Sequence, residues 1–79
     1  MKIRAEYTDT FAGEANYSWV RRIELDLPDT TSDLAVVRRV KKALGLEGSR
    51  PAGRYHRGDH LELWYFDQSA TVLFIDWEY

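Results

Sequence analysis

Cysteine is absent from this chain of 79 residues, which excludes a disulfide framework and any thiolate metal cage and suits a reducing compartment. No window approaches the roughly 18 consecutive apolar residues of a membrane span. The start, Met1-Lys2-Ile3-Arg4-Ala5-Glu6, carries charges where a signal peptide needs an apolar run, so a soluble, cytoplasmic protein is expected. Neither sign of charge dominates: 11 basic against 13 acidic side chains leave a net charge of -2, which rules out attraction to nucleic acid by the molecule as a whole. Phosphate-loop, dinucleotide, nucleophile-elbow and zinc-protease signatures are also missing. There are no repeats, low-complexity tracts or linkers, and the length fits one domain, residues 1–79.

Aromatic residues are plentiful instead. Three Trp, five Tyr and three Phe supply a core for a chain this short, with some left over for a surface. The stretch from Gly13 to Leu27 alternates with a period of two: Tyr17, Trp19, Arg21, Ile23, Leu25 and Leu27 against Ser18, Val20, Arg22, Glu24 and Asp26. A half-buried strand is expected there, with Tyr17 and Trp19 read as core and Arg21 obliged to reach a rim, stack on an aromatic or contact a partner. Lys2–Thr8 alternates likewise and precedes a turn over Asp9–Ala15.

Pro28 and Asp29 end the second strand. The capping run Thr30-Thr31-Ser32-Asp33 then opens a helix whose Val36, Val37, Val40, Ala43 and Leu44 share one stripe, closed by Gly45 and apolar Leu46. Residues 47–58 read as a loop, with at most a short extended piece near Tyr55. Asp59–Phe66 and Ala70–Tyr79 read as two strands joined by Asp67-Gln68-Ser69. The expected fold is α+β in the order β-β-α-β-β, a four-stranded mostly antiparallel sheet with one helix packed on one face.

One helix covers one side of such a sheet. If Leu61, Leu63, Tyr65, Leu73, Ile75 and Trp77 face it, then His60, Glu62, Trp64, Phe66, Val72, Phe74 and Asp76 face away. An uncovered aromatic patch marks a protein partner or a second copy, which makes Arg21, Arg22, Trp64, Phe66, Phe74 and Asp76 the candidate protein-binding residues. Nucleic acid is the alternative partner, through a basic helix flank and loop: Arg38, Lys41, Lys42, Arg50, Arg54 and Arg57. His56, Asp59 and His60, joined by Glu62 or Asp76, are the nearest approach to a metal set, but they match no known ligand spacing. The serines have nothing beside them that activates a hydroxyl. No catalytic residue, metal or cofactor is therefore expected, and the chain is read as non-enzymatic.

The run Asp9-Thr10-Phe11-Ala12-Gly13-Glu14-Ala15-Asn16-Tyr17-Ser18-Trp19-Val20-Arg21-Arg22 resembles the opening motif of a group of very short bacteriophage and prophage proteins. The likeness continues more weakly through Ser32-Asp33 and Val72–Asp76, and the group favours a second glycine where this chain has Ala12. It implies a setting, an accessory protein of a mobile element acting inside a bacterial host cell, and no settled activity. By analogy with other small phage proteins, including anti-CRISPR proteins, the expected role is to inhibit a host defence complex by covering a protein surface.

Overall fold

The computed structural model describes residues 1–66 and 69–78. In chain order the elements are β1 (Lys2–Phe11), β2 (Glu14–Asp26), α1 (Asp33–Ala43), β3 (Gly53–Arg57), β4 (His60–Tyr65) and β5 (Thr71–Glu78). They form one antiparallel sheet in the order β2-β1-β5-β4-β3, with α1 on one side. Among the described residues the sheet therefore has five strands where four were expected. The addition is β3, inside the supposed loop. Its residues Gly53-Arg54-Tyr55-His56-Arg57 carry almost no apolar pattern because it is an edge strand, paired to β4 alone and mostly exposed on both sides. Asp67 and Gln68 of the expected β4–β5 connection, and Tyr79, lie outside the described residues.

The helix starts and stops for local reasons. Ser32 is the N-cap, its hydroxyl accepting from the Ala35 amide at 3.2 Å. At the other end Gly45 adopts φ +74°, the Leu46 amide donates to Lys41 O at 2.7 Å, and the Gly45 amide donates to Lys42 O at 3.2 Å. That is the Schellman pattern, with Leu46 packed back on the core. Val36, Val37, Val40 and Leu44 are buried as the stripe requires, whereas Ala43 lies just off it and is exposed.

Beneath the helix, Ile3, Ala5, Leu61, Leu63, Tyr65, Leu73, Ile75 and Trp77 form the core with Leu27 closing one end. The expected division of β4 and β5 holds: the odd-numbered residues face α1 and His60, Glu62, Trp64, Phe74 and Asp76 face away.

The first hairpin departs from expectation in two ways. Its turn is only Ala12-Gly13, with φ of +54° and +81°, so the strands run several residues further than the expected break at Asp9. Ala12 holds a left-handed conformation that costs a residue with a Cβ about 1–2 kcal/mol, partly offset by the smaller entropy it loses on folding. Ala12→Gly is accordingly expected to stabilise the fold by up to about 1 kcal/mol, read as a rise of a few degrees in Tm. A fall in Tm would show that this turn is not left-handed.

The second departure is a wide bulge. The β1–β2 register breaks between Thr8, opposite Val20, and Thr10, opposite Ala15, leaving Asn16, Tyr17, Ser18 and Trp19 against Asp9. Tyr17 turns to φ +55° within it. An odd shift of register reverses which side each residue faces. Neither Tyr17 nor Trp19 is core, contrary to expectation: Tyr17 is turned to the open side and 48% exposed, and Trp19 stays on the helix side, edge-on to Tyr7 at 5.4 Å, but is 42% exposed.

Candidate functional site: the open side of the sheet

The side of the sheet away from α1 carries a row of rings. Phe66 stacks on Trp64 at 6.0 Å, Trp64 meets Phe74 edge-on at 6.1 Å, and Phe74 stacks on His60 at 6.0 Å. Alternation puts them together: Trp64 and His60 lie on β4 at even positions, and Phe74 stands opposite Glu62, between them. Phe66 follows β4, is 62% exposed, and rests over Gly53, whose missing side chain leaves the space: a Cβ there would meet the Phe66 ring at 3.2 Å.

One chain of polar contacts fixes that row. Trp64 Nε1 donates to Glu62 Oε1 at 2.9 Å, the other Glu62 oxygen lies 2.9 Å from His60 Nε2, and His60 Nδ1 lies 2.6 Å from Asp76 Oδ1. Burial disfavours the charged ring of His60, but the hydrogen bonds and negative charges of Asp76 and Glu62 outweigh it, so the imidazole titrates above its ordinary range. Burial likewise works against ionised Glu62. The bonds from His60 and Trp64 prevail and hold its carboxyl below the usual value.

Beside the rings runs a groove of about 520 Å³ lined by Arg4, Glu6, Tyr17, Arg22, His60, Phe74 and Asp76 among others. The bulge delivers Tyr17 to it. The Tyr17 hydroxyl donates to Glu6 Oε1 at 2.5 Å, and Arg22 Nε donates to Glu6 Oε2 at 2.9 Å. The hydrogen bond from Tyr17, helped by Arg22 against the cost of burial, lowers the Glu6 pKa, and the same bond raises that of Tyr17. Arg4 lies between Glu24 and Glu78 at 3.3 and 3.2 Å.

The bulge is itself held by two side chains of β1. Thr8 Oγ1 accepts from the Tyr17 amide at 3.1 Å and donates to Trp19 O at 2.8 Å. Asp9 accepts from the Ser18 amide, the Ser18 hydroxyl and Asn16 Nδ2 at 3.0, 2.6 and 2.9 Å. The bonds from Ser18 and Asn16 pull the Asp9 carboxyl down to about 2. Thr8 and its register partner Val72 are fully buried, so this end of the open side is closed rather than bare, contrary to the expectation for Val72.

Of the expected protein-binding residues, Trp64, Phe66, Phe74, Asp76 and Arg22 share the open side. Arg21 does not. Its Nη1 donates to Leu44 O at 2.9 Å, so it caps the C-terminus of α1 from the opposite side of the sheet. The expected nucleic-acid set is not gathered into one stripe. Lys41 Nζ is engaged with Ser49 O at 2.7 Å, and Arg54 points to the helix side of β3 while Arg57 points to the open side, 5.6 Å from the Tyr55 ring centre. Arg38, Arg39, Lys41 and Lys42 do line a smaller groove of about 270 Å³ on the outer flank of α1, together with Glu47.

The two histidines are separated as well. His56 faces the helix side and stacks on Trp77 at 6.0 Å, whereas His60 is held between carboxylates on the open side. Among the described residues no three His, Asp or Glu side chains are placed to hold a metal ion. Serine hydroxyls serve the fold: Ser18 binds Asp9, Ser32 caps α1 and Ser49 meets the Tyr65 hydroxyl at 3.0 Å. Among the described residues, no helix is long and apolar enough to cross a membrane.

The sequence groups His60 with Glu62 or Asp76 only as a weak metal set; the structure joins all three, and Trp64, in one chain of hydrogen bonds. A symmetric β4–β5 connection over 67–69 places His60 opposite Asp76, as found. No family model, no curated protein and no solved structure matches this chain.

Proposed function

We propose that this chain is a non-enzymatic binding protein that docks on a protein surface through the open side of its sheet. In the bacteriophage setting implied by the Asp9–Arg22 resemblance, it acts as an inhibitor of a host defence complex, in the manner of anti-CRISPR proteins. The observation that carries the docking reading is the row Phe66, Trp64, Phe74 and His60, lying on the side that α1 does not cover and fixed in place by Glu62 and Asp76. Rigid aromatic anchors with a satisfied polar surround are what a protein interface uses at its centre.

In bacteria with active CRISPR immunity against a phage, expression of the chain is expected to restore plating of that phage. A folded variant carrying Trp64→Ser and Phe66→Ser is expected to lose the effect. Unchanged immunity, together with no host protein retained on the immobilised chain, would overturn this reading.

The runner-up is a nucleic-acid-binding accessory protein, favoured by the groove that Arg38, Arg39, Lys41 and Lys42 line. A retarded band at low salt, lost on Arg38→Ala with Lys42→Ala, would select it. A particle of twice the chain's mass that dissociates on Phe66→Ser would instead make a second copy the partner.

A further inference from the structure

The polar chain on the open side contains one imidazole with a carboxylate on each nitrogen: Asp76 on Nδ1 at 2.6 Å and Glu62 on Nε2 at 2.9 Å. A neutral imidazole has one N–H and one lone pair, so it can donate to only one of them. The arrangement is complete only when His60 is the imidazolium. We propose that His60 is a proton-operated latch for the open side: protonated, it holds Glu62, and through Glu62 the indole of Trp64, in the contact position; deprotonated, it releases them.

The groups around the ring determine how it opens. β5 contributes Asp76 and the Phe74 ring stacked 6.0 Å away; β4 contributes Glu62. On β3, Arg57 is the register partner of His60, and on β1, Arg4 is the register partner of Asp76, but Arg4 is occupied by Glu24 and Glu78. After loss of a proton the ring keeps one donor. The shorter contact, to Asp76 on the neighbouring strand, keeps it, and the lone pair then faces Glu62 across 2.9 Å. Glu62 swings away from that repulsion. Trp64 Nε1, bonded to the same carboxylate, leaves with it or changes its bond.

The sign follows from the raised His60 pKa. The latch contributes fully below the ordinary imidazole value of 6.5 and is lost as pH rises through the higher folded-state value. Its bearing on docking rests on the open-side reading above, whereas the latch itself is a property of the isolated chain and is tested without a partner.

The test is an NMR titration of the purified protein between pH 5 and 9, following the ring protons of His60 and the indole N–H of Trp64. His60 is expected to titrate above 6.5, with the Trp64 signal moving at the same midpoint. Glu62→Gln is expected to lower the His60 midpoint toward 6.5, and His60→Gln to make the Trp64 signal indifferent to pH over that range. A wild-type His60 midpoint at or below 6.5, or a Trp64 signal that stays fixed while His60 titrates, would overturn the latch. Either result would leave the docking reading standing, and the wild-type titration decides the matter even if a variant fails to fold.

Discussion

Leu63→Ala is expected to cost about 2–5 kcal/mol, because deleting a buried leucine forfeits both its transfer free energy and the contacts around the cavity left behind. Leu63 is 2% exposed, in the middle of β4, opposite Leu73 and under α1. Stability for a domain of this size, with no disulfide to add to it, is on the order of 3–5 kcal/mol. The variant should therefore be largely unfolded at 37 °C, seen as loss of the cooperative thermal transition by circular dichroism. Phe66→Ala, just beyond the end of the same strand, should stay within about 1 kcal/mol of wild type because its ring is mostly exposed. The contrast matters for function. A side chain that is costly to remove holds the fold, and a large apolar one that is cheap to remove is free to serve a partner. Equal losses for the two variants would mean that Phe66 belongs to the core.

Thr8→Val is expected to cost about 2 kcal/mol, on the order of 10 °C in Tm, although valine has the same shape. The fully buried Thr8 hydroxyl is the partner of both the Tyr17 amide and the Trp19 carbonyl, and an unmade bond at a buried backbone group costs about 1–3 kcal/mol. Those groups lie on the edge strand β2, where water can reach part of the damage, which places the expected loss toward the lower end. Local consequences should exceed the global ones. Tyr17 holds φ +55°, a costly conformation for an aromatic residue, and without the Thr8 bridge the strand has less reason to keep it. Proton exchange at the Tyr17 amide should quicken far more than at Ile75 in the central strand. If Tyr17 exchange is unchanged, the bulge is held by Asp9 alone.

Much of the fold is legible in the sequence because its signals are local. Ser32, Gly45 and Leu46 mark the ends of α1, and the alternation along β4 and β5 assigns Leu63 to one side and Trp64 to the other. β3 is legible only as a short extended piece near Tyr55, since Arg54, Tyr55, His56 and Arg57 show no buried face. It exists because β4 offers an edge to pair with. The bulge escapes for a related reason. Tyr17, Trp19, Ile23 and Leu25 look like one apolar series, and only the long-range contacts of Thr8 and Asp9 show that Tyr17 leaves it for the other side. Alternation puts Arg21 and Arg22 on opposite sides, as found, but it does not show that Arg21 is taken up in capping α1 while Arg22 lines the groove.

The functional reading is carried by the exposed Phe66 ring and the half-buried rings of Trp64, Phe74 and His60 beside it, and a site-specific photo-crosslink tests it most directly. A photoreactive phenylalanine analogue would replace Phe66 in one experiment and Arg39, on the outer flank of α1, in another, with both proteins expressed in bacterial cells under illumination. The predicted result is a discrete protein adduct from position 66, larger than two copies of the chain, and none from position 39. Adducts from position 39 alone, or to nucleic acid rather than protein, would contradict the open side of the sheet as the docking surface.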